Sequence, residues 1–209
     1  LAKSHFVEAL EKITAASESS DVTINDIFVM LGEKGHLILI LFFSVPFLQP
    51  VPLLGLSTPL GALIVIVAFY FMREKPPWLP KRFSHLVVSK PILNKTIEMI
   101  QKIWGYLEKV LEPRWGILHD SHTFRVINFL LVAASATLLA LPLPIPFSNT
   151  IPTVPIVLNT IGQLEEDGVI IFLSFFSFLF SIIFFTSLGA GVFIGIDKYS
   201  DKLLPLFGF

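Results

Sequence analysis

Val45-Pro46-Phe47-Leu48-Gln49-Pro50-Val51-Pro52 interrupts one long uncharged run, and Ile145-Pro146-Phe147-Ser148-Asn149-Thr150-Ile151-Pro152 interrupts another, 100 positions later. In this alignment Pro46, Phe47 and Pro52 recur as Pro146, Phe147 and Pro152, and the amide of Gln49 falls opposite that of Asn149. Proline lacks a backbone donor and clashes with the preceding turn, so neither segment is expected to be one continuous helix. Broken backbone at membrane depth persists only where protein or water satisfies its free groups. A matching pair of breaks in two halves of a membrane protein is a sequence-level pointer to a site.

The composition agrees with a membrane setting. Of 209 residues, 54% are hydrophobic and 15% charged, whereas soluble domains carry nearer a quarter charged. The chain has no cysteine, which excludes disulfides, thiolate catalysis and Cys-ligated metals. Residues 1–16 contain Lys3, Glu8, Glu11 and Lys12 and do not read as a signal peptide, so targeting is expected from the apolar segments.

Outward from the first break, Gly35 to Met72 gives 38 residues without a formal charge. One straight helix of that length would run about 57 Å, too long for a hydrocarbon core of roughly 30 Å. Two full spans would leave no room for the break. The spacing predicts a short helix over 36–46, a loop, and a longer helix over 57–72, either as a re-entrant hairpin or as a full span with a half-helix. The second run, 126–164, is broken by Pro142, Pro144, Pro146, Pro152 and Pro155. Half-helices are expected to start after Pro52 and Pro152. Glu165-Glu166-Asp167-Gly168 ends this run, and a last apolar helix is expected over 169–196.

Residues 1–34 read as short amphipathic N-terminal helices, over 4–17 and again from a capping box at Thr23 and Asp26. Residues 73–125 form a basic linker with ten Lys/Arg against five acids, between flanks that are each acidic. Positive-inside bias assigns it to the cytoplasm. Its Pro76-Pro77-Trp78-Leu79-Pro80 stretch and Lys81-Arg82 suit anionic lipid headgroups, not nucleic acid. Residues 92–111 read as an amphipathic helix lying along the membrane. Residues 165–209 complete the chain as an acidic turn, a transmembrane helix carrying Gly189, Gly191 and Gly195, and a tail.

The candidate ligand-binding residues are Gln49 and Asn149, joined by Ser57, Thr58, Ser148, Thr150 and Asn159. Helix N-termini after the prolines would suit an anionic group. The competing reading is that these side chains only satisfy backbone freed by proline. Pro46, Pro50, Pro52, Pro146, Pro152, Gly55, Gly61, Gly162, Asp167 and Gly168 form the structural motif. Glu165, Glu166 and Asp167 read as a solvated turn supplied by Gly168, with a cation or proton site as the alternative. His119-Asp120-Ser121-His122 lacks a further ligand nearby, so no metal is expected, and no cofactor either. No phosphate-binding Gly loop, nucleophile elbow or zincin motif occurs, so the chain does not read as an enzyme.

Pro50-Val51-Pro52, Gly55-Leu56-Ser57, Gly61 and Pro77-Trp78-Leu79-Pro80 resemble the first half of the ExoD family of bacterial exopolysaccharide-synthesis-associated membrane proteins. Leu143-Pro144-Ile145-Pro146-Phe147, Asn149, Pro152, Gly162 and Asp167-Gly168 resemble its second half. The resemblance implies a multi-pass protein of the bacterial inner membrane linked to exopolysaccharide production.

The expected fold is thus an all-α integral membrane protein: two repeats with Pro-broken or re-entrant helices, joined by amphipathic cytoplasmic helices. The repeats would be inverted if each crosses an odd number of times, and would enter from one side if each is a hairpin. The expected function is transporter- or channel-like, with a site between the two breaks. The alternative is a non-transporting scaffold or regulator of polysaccharide-synthesis machinery. A homodimer is expected, since 209 residues enclose little protein interior.

Overall fold

The computed structural model describes residues 15, 22–23, 35–49, 55–75, 87–88, 90–107, 121–143 and 145–203. Six helices dominate them: α1 Gly35–Ser44, α2 Ser57–Met72, α3 Lys90–Leu107, α4 His122–Leu139, α5 Thr150–Leu164 and α6 Gly168–Leu203. A single 3-10 turn, Val45–Leu48, extends α1. One antiparallel ladder departs from the helical expectation: β1 Val22–Thr23 pairs with β2 Val87–Val88. Thr23 is therefore extended, Ala15 is helical, and the rest of the expected N-terminal helices lies outside the described residues, as do Pro50, Pro52 and Trp78.

Helices α1, α2, α4 and α5 close a ring in which α1 packs on α2 and α5, and α4 packs on the same two. All ten residues of α1 are buried, as befits a helix that is apolar all round. The open ends of the two hairpins adjoin. His36 at the start of α1 donates from Nε2 to the carbonyl of Lys75 at 3.0 Å. Arg125 at the start of α4 pairs with Glu74 just beyond α2. The Pro turns meet at the opposite end, so the hairpins point the same way.

Close backbone approach fixes the ring. A Cβ on Gly61 would lie 2.8 Å from the Ala136 carbonyl oxygen and 3.0 Å from the Ala140 Cβ. Nothing larger than glycine fits α2 against α4 at this separation.

Both hairpins end alike. Glu74 and Glu166 take left-handed φ of 52° and 58°. The next amide reaches back five residues in each case, Lys75 to Tyr70 at 3.1 Å and Asp167 to Gly162 at 2.8 Å. That is the Schellman arrangement, which satisfies carbonyls left over at a helix end. The reversal at 165–168 is therefore made by Glu166 and not, as the sequence suggested, by Gly168. Asp167 is buried and caps α6, its Oδ1 accepting from the amides of Val169 at 2.9 Å and Ile170 at 3.3 Å.

Two further expectations change. Pro152 does not break the chain, because α5 already begins at Thr150 and carries Pro152 in its first turn, where a missing N–H removes no helical bond. The apolar face of α3, with Leu93, Ile97 and Ile100 buried, packs on α1 and the 3-10 turn instead of lying on a membrane. Amphipathicity requires that this face be covered and does not say by what. Lys95, Glu98 and Lys102 stay exposed on its outer side.

Candidate functional site

Six of the seven expected site residues gather where the two turns meet. Thr150 donates from Oγ1 to the Gln49 carbonyl at 2.9 Å. Thr58 donates to the Ala140 carbonyl at 2.8 Å. Each second helix of a hairpin is thus tied through its first turn to the end of the opposite hairpin's first helix. Helix N-termini carry partial positive charge and C-termini negative, so each bond also sets one beside the other.

Around this clasp, Ser148 is buried and donates to the Leu143 carbonyl at 3.1 Å. Asn149 is buried at the N-cap of α5 without a side-chain capping bond, although its carbonyl accepts from Thr153 at 2.6 Å. Ser57, the first residue of α2, is buried too. Gln49 is half-buried, and its Nε2 reaches the Met99 thioether of α3 at 3.6 Å, a weak acceptor for an amide donor.

The expected equivalence of Gln49 and Asn149 does not hold. Gln49 follows the 3-10 turn that ends α1, whereas Asn149 precedes α5. Matching features recur 92 positions apart instead of 100. Left-handed Gly55 (φ 88°) matches left-handed Phe147 (φ 66°), and Glu74 matches Glu166. The donor Thr58 matches the donor Thr150. In sequence Pro50-Val51-Pro52 falls on Pro142-Leu143-Pro144. This register sets Ser57, not Gln49, opposite Asn149.

Asn159 lies elsewhere, about 13 Å along α5 from Thr150 by helical rise. It belongs to a buried amide cluster between α4, α5 and α6. Its Nδ2 donates to Asn128 Oδ1 at 2.7 Å and to Ser174 Oγ at 3.1 Å, and its Oδ1 accepts from Gln163 at 2.6 Å. Asn128 in turn donates to the Phe124 carbonyl at 2.9 Å. Sequence reasoning missed Asn128, Gln163 and Ser174. The available signal was the pair of amides four apart, Asn159 and Gln163, in an uncharged run. Among the described residues no group of three or more His, Cys, Asp or Glu could hold a metal. His119 and Asp120 lie outside them.

The fold and its joined turns define an apolar helical protein. Two helices, α4 and the first 24 residues of α6, are long and apolar enough to cross a membrane, which suggests membrane association. The chain belongs to the ExoD family, whose model, described as exopolysaccharide synthesis, ExoD, matches residues 6–187. It is 29% identical over 187 residues to Protein ExoD of Rhizobium meliloti (strain 1021), covering 89% of this chain and 78% of that one. It is also 29% identical over 197 residues to an uncharacterized protein of Synechocystis sp., covering 90% of each. No solved structure matches it significantly. The family links the protein to exopolysaccharide synthesis.

Proposed function

We propose that this ExoD-family protein is a multi-pass protein of the bacterial inner membrane, transporter- or channel-like, that serves exopolysaccharide production through a site at its joined Pro turns. One observation carries the reading. The Thr150–Gln49 and Thr58–Ala140 bonds bring two polar, Pro-broken turns together at one end of a ring of helices whose one formal charge, Arg125, lies at the other end. Polar groups gathered inside such a bundle mark pathways more often than packing alone would require. The 92-residue register supports an internal repeat. The common direction of the hairpins supports re-entry from the charged end, which carries Glu74, Lys75, Arg125 and Glu166. The linker 73–125 then lies in the cytoplasm and meets anionic headgroups, and the protein works as a homodimer without enzymatic chemistry.

The test is complementation of exopolysaccharide production in a host lacking its own ExoD protein. Gln49→Ala and Asn149→Ala, each present in membranes at the parent's level, are expected to fail. Normal production by both would sink the transport reading.

The exposed polar face of α3 favours a second reading, a scaffold that recruits synthesis machinery through Lys95, Glu98 and Lys102. In that case reversal of these three charges, and not the turn substitutions, would abolish complementation.

A further inference from the structure

Residues seven apart on a helix share a face, because seven residues fall only about 20° short of two turns. The bond between Asn128 and Asn159 therefore fixes which faces of α4 and α5 meet. Ser135 lies seven residues beyond Asn128 on α4, and Pro152 lies seven before Asn159 on α5. The two helices run in opposite directions, so Ser135 faces the first turn of α5 at the level of Pro152. Asn149 is one turn earlier on the same face of α5, since its own backbone is helical.

Two polar side chains at this level remain uncommitted. The Ser135 hydroxyl is fully buried and meets no hydrogen-bond partner among the described residues. Asn149 is 5% exposed and makes no side-chain capping bond. Their polar neighbours are already engaged: Thr150 with the Gln49 carbonyl, Ser148 with the Leu143 carbonyl, and the Ile151 amide with the Phe147 carbonyl. Pro152 has no N–H to give. A buried hydroxyl without a partner carries its full desolvation penalty and calls for an explanation. Packing does not supply one. In the 92-residue register the counterpart of Ser135 is Phe43, and that of Pro152 is Leu60. The first hairpin thus fills with a buried phenyl group the place where the second sets a small hydroxyl.

We propose that Ser135 and Asn149 hold a small anion, of the size of chloride, at the N-terminus of α5. The helix end carries partial positive charge, and Ser135 Oγ and Asn149 Nδ2 are the donors left to meet the ion. A cation would find no carboxylate, because neither α4 nor α5 contains Asp or Glu, and the helix end would repel it. With Ser135 closed to solvent and Asn149 nearly so, the fit is to a monatomic ion and not to a sugar or a phosphate. The inference rests on the joined turns being a ligand site and gives that ligand a class; it does not require transport.

The intact chain, purified in uncharged detergent and exchanged into sodium gluconate, is titrated with sodium chloride at constant ionic strength while Tm is read. A saturable rise is expected, roughly 5–10 °C at ~100 times the Kd, with none for sodium sulfate. The absence of a rise specific to chloride would overturn the proposal. Ser135→Ala removes an unpaired hydroxyl, so its Tm in gluconate should equal or exceed the parent's, while most of the chloride response is lost. Asn149→Asp sets a carboxylate against the ion and should abolish the response. Retention of the full response by either variant would also overturn the proposal. Complementation tests the transport reading apart from this one. A chloride response that depends on Ser135, in a protein whose Gln49→Ala and Asn149→Ala variants complement normally, would sink transport and leave the anion site standing.

Discussion

The hydroxyl of Ser181 in α6 donates to the carbonyl oxygen of Ile151 in α5 at 3.1 Å. Four residues after Ile151 stands Pro155, inside the helix, so the amide that would ordinarily bond this carbonyl does not exist. A hydroxyl from the neighbouring helix takes its place, shared with the Ser177 carbonyl at 3.0 Å. The proline and the serine form a unit that joins α5 to α6. Ser181→Ala is expected to lower stability by about 1–3 kcal/mol, the usual penalty for a buried polar group left without its partner. In a Pro155→Ala background the restored amide can bond Ile151, and the same substitution should then lose little. Thermal unfolding of the four proteins in one detergent measures the coupling. Equal losses in both backgrounds would remove Pro155 from the explanation.

The Thr150–Gln49 and Thr58–Ala140 bonds make a second, independent prediction. Thr150→Val keeps the shape and removes the donor, and should destabilise by about 1 kcal/mol. Thr150→Ser, which keeps the hydroxyl, should restore most of that. Thr58 is exposed, so Thr58→Val should lose less in water-rich detergent. Denaturant unfolding reads all three. If Thr150→Ser is no better than Thr150→Val, the hydroxyl is not what holds the turns together.

Much of the helical plan was legible in the sequence. Charge-free runs and prolines placed a short helix, a turn and a helix over 57–72, and α2 has those bounds. The register was misread because Pro46 and Pro146 match in identity, whereas equivalence in the fold is set by backbone conformation. Nothing in the letters reveals that Phe147 shares the left-handed region with Gly55. The sequence groups Asn159 with the turns as one more polar side chain in the same uncharged run. Once α5 starts at Thr150, helical rise alone carries Asn159 away from them. The amphipathic pattern of α3 predicts a covered face and assigns it to the membrane, whereas its partner in the fold, α1, is a tertiary fact.

Glycine positions divide into two kinds that a stability series can separate. Gly61→Ala would set a Cβ 2.8 Å from the Ala136 carbonyl oxygen, a backbone atom that cannot swing aside. It should cost about 1–3 kcal/mol, as overpacking usually does. At Gly189 a Cβ meets nothing within 4 Å, so Gly189→Ala should be neutral or gain up to about 1 kcal/mol from helix propensity. Thermal unfolding in detergent compares them directly. A tolerated Gly61→Ala would mean that α2 and α4 are less closely apposed than this fold requires. A destabilised Gly189→Ala would mean that another surface packs there.

The amide cluster offers a way to separate folding from function. Asn159→Ala removes the centre and leaves Asn128, Gln163 and Ser174 each short of a partner. A loss of about 2 kcal/mol or more is expected, since buried polar groups left unpaired carry their full desolvation penalty. Replacing Asn159, Asn128 and Gln163 together by Leu removes the polarity as well as the bonds among them, while Ser174 keeps its bond to the Ile171 carbonyl, and such matched replacements can be nearly neutral. If the cluster only holds α4, α5 and α6 in register, the triple variant should recover both Tm and exopolysaccharide complementation. If a polar solute uses these amides on its way past the turns, Tm should recover and complementation should not. Asn159→Ala as stable as the parent would show that the cluster is not closed by these bonds, and neither role would stand.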